Sequence, residues 1–507
     1  MDKTAARNQA FLTAKGTAPG LCLLLGLVFV TAWICGGKFL LTRDLWMDEV
    51  HSWLIVTDPD PRHALHALAD GADFNPPTWF LTSQFVTRYL IPPTEISLRL
   101  LSLTWMVLTL SGLYLLLARH FTPLVCVTSV MLTACHPLVI HQSTEIRFYG
   151  FWCALVVWLC LVVEWPTSNR LQYALKLMAV AVFAALISTC HYFGIFSLAL
   201  IAAPLLIIHG GRKQNVAVSG LIMLSGSAAL ASCLPFLAGQ KAAISRPTWI
   251  SPATLSDTLL YVQTLLPAWQ MALCVSAVLL TVMFFRTNTD EGGLFHELPP
   301  GVASVAPCAC LSAMSLLIVG VSWVLQPALV ARYAIVGVLG GAPLLALLLY
   351  QCSTGLRVGI LGIAVVAFGC STDGCVRQWQ NADVERARLV QQLRECEPDD
   401  VVVFEDRITW MPLLHRHPEL ATVCRLAEFE DSQLVQDSSL RIVQRDAGRR
   451  IEHWYPQFKM QKLETLAGNS HFYVVPYTEA PEFGLKYSPD YTPVPFTASI
   501  VRLTKHP

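Results

Sequence analysis

The sequence predicts an α-helical polytopic membrane protein that carries a small soluble α/β domain at its C-terminal end, and three observations lead there. The 507 residues are 54% hydrophobic and 14% charged, whereas about a quarter of a soluble protein is charged. Apolar runs long enough to cross a hydrocarbon core as helices recur along most of the chain; only helices and closed barrels satisfy their own backbone polar groups there. From residue 376 onward the composition changes, and clusters of Asp, Glu, Arg and Lys take over.

Eleven runs qualify as spans, at 20–40, 96–118, 122–140, 148–164, 172–191, 194–209, 216–238, 268–285, 303–325, 333–350 and 355–371. The first follows Lys3, Arg7 and Lys15 and ends in Gly36-Gly37-Lys38 with no small-x-small cleavage signal, so it reads as an uncleaved span. Residues 76–91 are apolar but short, and they are interrupted by Thr78, Thr82, Ser83, Gln84, Thr87 and Arg88. That pattern suits a helix lying in the interface. The transmembrane part is therefore 1–375 with a large first outer loop at 41–95, and 376–507 is the soluble α/β domain on the outer face. In that tail, 400–404 reads as a buried strand, 408–417 as a helix and 421–429 as a second strand, with further strands at 471–477 and 498–505.

Net charge is zero, which implies no nucleic-acid partner. Thirteen of the sixteen cysteines fall in or beside predicted spans, where a thiol serves as a small apolar side chain, and there is no CxxC pair. With a cytoplasmic N-terminus, the loops holding Arg119, Arg170, Arg212-Lys213, Arg286 and Arg357 are cytoplasmic as well, as the positive-inside tendency prefers. The clusters suited to chemistry then share the opposite face: Asp48-Glu49, Asn75-Pro76-Pro77, Glu145-x-Arg147, His191-Tyr192, Lys241, Arg246 and Arg332-Tyr333. The expected location is a plasma or inner membrane, multi-pass, with site and tail extracytoplasmic.

Five segments occur in an informative order: LWMDEVHSW (45–53), ADFNPPTWFL (72–81), STEIRFYGF (143–151), STCHYFGIF (189–197) and ARYAIVGVLGGAP (331–343). This order resembles the GT-C glycosyltransferases, in particular the branch of protein O-mannosyltransferases, lipid A aminoarabinose transferases and related polyprenyl-phosphate-sugar enzymes. That group has a DE pair in the first outer loop, then an HPPL-like turn, an E-A-R-x-Y segment, an H-Y-x-G-like span junction and an R-Y before a proline-bearing helix. Asn75 stands where the family has histidine, so no ligand or proton-transfer role is carried over to that position.

The resemblance implies a glycosyltransferase that moves a hexosyl or pentosyl unit, with inversion, from a polyprenyl-phosphate carrier in the bilayer to a lipid, glycan or protein acceptor. Asp48 would be the base that takes the acceptor proton, and Glu49 would orient it or bind a metal. Arg147 and Arg332 would hold the lipid phosphate, because the guanidinium fork matches its oxygens. Lys241 and Arg246 would complete the cationic site, Glu145 would align donor or acceptor, and Tyr333 would supply a hydroxyl or an interfacial anchor. His191 is either a metal ligand with Glu49 or a satisfied polar residue at a helix end, and Asn75 with its prolines shapes a turn. No cofactor is required for certain; a divalent metal is compatible. Each motif also has a plainer interpretation, as solvated loop acids, an interfacial ion pair or snorkelling arginines.

The alternative class is a transporter or flippase. Such proteins bury ionisable residues at mid-bilayer, whereas the interiors of 100–117, 122–140, 216–238 and 303–325 contain no Asp, Glu, Lys or Arg. A non-catalytic scaffold presenting the tail is the third class.

Overall fold

Leu, Val, Ala and Ile in long uncharged runs form helices that need nothing outside themselves for backbone hydrogen bonding. In chain order the helices, apolar spans and shorter charged ones together, are α1 (Lys3–Ile34), α2 (Met47–Thr57), α3 (Pro61–Ala69), α4 (Thr78–Tyr89), α5 (Glu95–Leu117), α6 (Pro123–Ala134), α7 (Pro137–Thr144), α8 (Tyr149–Val163), α9 (Arg170–Cys190), α10 (Gly194–Ile207), α11 (Lys213–Ser232), α12 (Leu234–Ala243) and α13 (Leu255–Leu265). They continue with α14 (Val302–Ala309), α15 (Met314–Val324), α16 (Ile335–Tyr350), α17 (Thr354–Leu393), α18 (Arg407–Arg416) and α19 (Ser439–Trp454). The structure, a computed structural model, describes residues 3–207, 213–243, 253–265, 302–324, 328–397, 400–428, 439–466, 471–476, 491–495 and 499–505.

Among the described residues, seven helices are long and apolar enough to cross a membrane, and a bent pair makes an eighth. The bend is 75° between α6 and α7, inside the run expected as one span at 122–140. Its cause is local: Pro137 opens α7, and His136 before it adopts extended backbone, φ −66° and ψ 126°. The run expected at 216–238 also breaks, because α11 stops at Ser232 and Pro235 sits in the first turn of α12, where a missing N–H costs nothing. Shorter apolar helices α8 and α10 fall on two more expected spans. The expected span at 268–285 lies outside the described residues.

The chain forms two compact units that cut across sequence order. One comprises 1–41, 96–233 and 252–376; the other comprises 42–95, 234–251 and 377–507. The first is a helical bundle in which α16 packs at backbone distance: a Cβ on Gly340 would lie 2.3 Å from the Ser312 amide nitrogen. A short 3₁₀ turn, Ala331–Ala334, leads into α16. The change of composition near residue 376 falls inside α17, which runs unbroken from Thr354 to Leu393.

The second unit contains α2, α3 and α4 of the first loop, α12, and the tail with its sheet. The strands are β1 (Val402–Phe404), β2 (Cys424–Glu428), β3 (Met460–Lys462), β4 (His471–Val475), β5 (Tyr491–Pro495) and β6 (Val501–Lys505), in the order β3-β2-β1-β4-β6-β5. β3, β2, β1 and β4 are mutually parallel, and β6 pairs antiparallel with both β4 and β5. Val402, Val403 and Phe404 are fully buried, as in a central parallel strand covered on both faces. Val403, Ala427, Leu466, Phe472, Val474 and Leu503 form a core cluster within the tail. The β-α-β order expected at 400–429 is present as β1-α18-β2. On α4, Leu81, Phe85 and Tyr89 recur at helical spacing and are exposed, an apolar stripe of the kind an interfacial helix uses.

Candidate functional site

The DE pair opens α2, and its two carboxylates do different things. Glu49, at the third helical position, accepts the Trp46 backbone N–H at 3.3 Å and an Arg43 N–H at 2.6 Å. Both partners of that ion pair are buried, at 1% and 0% side-chain exposure. Arg43 also stacks over Trp379 at 3.9 Å, while neighbouring Asp44 accepts from Arg386 at 2.8 Å and pairs with Arg416 at 3.3 Å. Glu49 is thereby a fixed strut for the first turn of α2. Asp48, one residue earlier, is half-buried, and its negative charge sits where the helix dipole favours it.

Around Asp48 the second unit gathers residues from far apart in the chain. His51 lies one turn further along α2 and holds the Ala72 carbonyl at 2.6 Å through Nδ1. The turn carrying Ala72 depends on Gly71, whose φ of 92° suits glycine. Two residues later Asp73 accepts from the Asn75 amide at 2.6 Å, and the Asn75 carbonyl in turn accepts from Gln240 on α12 at 3.2 Å. From the tail comes Arg407, the first residue of α18, placed there because Asp406 caps that helix by accepting the Thr409 N–H at 2.7 Å. Burial draws the Arg407 guanidinium down to about 10, and Asp48 and Asp73 oppose the shift while Arg450 adds to it. Burial likewise holds the His51 imidazole down at about 4, with Arg407 lowering it further and Asp73 and Asp48 raising it. Asp48, His51, Asp73 and Arg407 thus feel one another's charge.

The other expected residues belong to the helical bundle. Glu145 caps the end of α7 in extended conformation, and its carbonyl accepts the Arg147 N–H at 2.7 Å, so the tight turn before α8 holds both side chains in the interior. His191 ends α9 and lies outside that span. Its Nδ1 accepts the Phe193 N–H at 3.3 Å, which leaves Nε2 to carry the proton. Its ring stacks on Phe148 at 4.7 Å and lies 4.7 Å from Trp152, 5.3 Å from Phe193 and 5.4 Å from Tyr333. Burial first, then the charges of Arg147 and Arg332, holds His191 down at about 3. The structure therefore places His191 in ring contact with Tyr333, and Arg147 and Arg332 near enough for their charges to act on the aromatic-lined neutral imidazole.

Lys241 is exposed on the last turn of α12, next to the anchoring Gln240, in the unit that holds Asp48. Arg246 lies outside the described residues. Among the described residues, no group of three His, Cys, Asp or Glu side chains is placed to hold a metal ion. Glu49 and His191, the two expected ligands, belong to different units, and each has the partners given above.

Three contributors were not singled out from sequence. His51 stood inside LWMDEVHSW, and its i+3 spacing from Asp48 was the available signal. Asp73 stood two residues before Asn75. Arg407 had no sequence signal, because a tail residue reaches the first loop only through the tertiary fold.

No family model matches the chain, and no curated protein matches it significantly. Solved structures do. ArnT from Cupriavidus metallidurans in the apo state superposes with a TM-score of 0.57, and ArnT from the same organism bound to undecaprenyl phosphate with 0.53. Each comparison covers 95% of this chain and 97% of the other at 12% identity. The fold is accordingly the GT-C type, a polytopic helical membrane domain with a small C-terminal α/β domain.

Proposed function

We propose that this chain is a multi-pass membrane glycosyltransferase that takes its sugar from a polyprenyl-phosphate carrier. The observation that carries the reading is the likeness, over nearly the whole chain, to a structure solved with undecaprenyl phosphate bound. The pair of arginines about His191 supports it, since two guanidinium forks suit a lipid phosphate.

In the reaction, the acceptor hydroxyl gives its proton to Asp48 while its oxygen attacks the anomeric carbon. The bond from that carbon to the phosphate oxygen breaks, and the polyprenyl phosphate leaves with the electron pair, its charge met by Arg147 and Arg332. A single displacement of this kind inverts the anomeric configuration. Glu49 and Arg43 keep Asp48 in place at the start of α2. The acceptor reacts on the outer face of a plasma or inner membrane, with the tail on the same side.

The purified chain in liposomes, given a panel of undecaprenyl-phosphate sugars, is expected to release undecaprenyl phosphate together with a glycosylated product of inverted anomeric configuration. Retained configuration would reject the single displacement. Counterflow of the labelled lipid with no covalent product would instead establish a flippase.

A further inference from the structure

His51 is buried, at 6% exposure, one helical turn from Asp48, and its ring is fixed in both orientation and tautomer. The Ala72 carbonyl can only accept, so the 2.6 Å contact requires that Nδ1 carry the proton. Nε2 is then a bare lone pair. That atom is buried and has no hydrogen-bond partner. A buried acceptor left unmade costs on the order of 1–3 kcal/mol. The surroundings are those of the site: Asp48, Asp73 and Arg407 all act on the ring. A lone pair kept vacant at that place has an explanation if a bound molecule fills it, since hydrogen bonds of this kind close only in the substrate complex.

We propose that His51 Nε2 recognises the acceptor, taking a hydrogen bond from an O–H neighbouring the hydroxyl that Asp48 deprotonates. Residues three apart on a helix present side chains about 5–6 Å apart, a spacing that a sugar spans with two of its hydroxyls. The acceptor class is therefore polyhydroxylated, a glycan or glycolipid headgroup. This deepens the glycosyltransferase reading and rests on it.

Two substitutions separate recognition from architecture. In His51→Asn the amide N–H replaces Nδ1 and keeps the Ala72 contact, but nothing reaches the Nε2 position. In His51→Gln the side-chain carbonyl replaces Nε2, but the Ala72 contact is lost. The probes are undecaprenyl-phosphate sugars in liposomes, with octyl glucoside or 1-octanol as acceptor, read as release of undecaprenyl phosphate above the rate with water alone. Recognition predicts that the wild type uses octyl glucoside in preference to 1-octanol. It also predicts that His51→Asn raises the KM for octyl glucoside about tenfold with kcat little changed, and that His51→Gln stays near wild type. Normal kinetics in His51→Asn with loss in His51→Gln would overturn the proposal, as would equal use of the two alcohols.

If the wild type releases undecaprenyl phosphate from none of the undecaprenyl-phosphate sugars, the glycosyltransferase reading fails, and thermal melting without substrate then decides whether the lone pair is vacant. A His51→Asn protein as stable as wild type means that the fold itself does not use Nε2. A lower melting temperature in His51→Asn than in His51→Gln would show that it does, and would overturn the proposal by itself.

Discussion

Arg43 and Glu49 meet at 2.6 Å in a place that water does not reach, at the start of the helix that carries Asp48. Breaking a buried pair by removing one partner strands the other charge, at a cost of about 3–5 kcal/mol. Arg43→Met should therefore lower thermal stability sharply, and Arg43→Met combined with Glu49→Leu should recover much of the loss. If Glu49→Gln leaves the melting temperature untouched while abolishing turnover, Glu49 belongs to the chemistry instead of its support.

Asp48 has the opposite expected profile. It is half-buried and is not half of that strut. Asp48→Asn should abolish sugar transfer while leaving expression, melting temperature and donor binding near wild type. Ordinary turnover by the purified variant would remove Asp48 from the role of base.

Arg147 and Arg332 both bear on His191, so each is expected to hold one side of the donor phosphate. A lysine keeps the charge but loses the two-pronged geometry. Arg147→Lys and Arg332→Lys should each weaken undecaprenyl phosphate binding about tenfold, with the double variant weaker than either. Binding of undecaprenyl phosphate to the detergent-purified protein checks this directly, and unchanged affinity in both single variants would contradict it.

His51 makes stability depend on acidity. Its folded value of about 4 lies below the ordinary 6.5. The unfolded chain therefore takes up a proton between those two values while the folded chain does not, and stability falls as pH drops through that window. Above pH 6.5 neither state is protonated there, and below pH 4 both are, so the contribution is flat outside it. The loss is on the order of 3 kcal/mol for a group this buried. Melts of wild type and His51→Asn should start together near pH 7 and separate towards pH 4, the wild type falling below the variant, because only the wild type carries this proton uptake. Parallel curves would contradict the assignment.

The spans and the tail strands were legible because long apolar runs and β-rich patterns are local signals. Residues 400–429 show this well, and so does α4 with its interrupted apolar stretch. The breaks at Pro137 and Pro235 were written in the sequence too, but apolar composition alone carries straight through them. α19 was missed because charged residues hide its apolar face, and β5 because its two prolines argue against a strand; among the described residues β5 pairs with β6 alone, and edge strands tolerate proline. At the site, Asp48, Arg147 and Arg332 sit in recognisable short motifs. Arg407 does not, since what brings it beside Asp48 and Asp73 is the docking of α18 against α2, a contact that no local pattern encodes.

The delivery of Arg407 by the tail sets an order on biogenesis. A nascent chain threads its spans into the bilayer long before residue 407 leaves the ribosome, and until then Asp48 and Asp73 lack the cation that they share in the finished protein. The cluster thus stays unassembled throughout membrane insertion, and a chain cut short before the tail would carry the DE motif without its electrostatic counterweight.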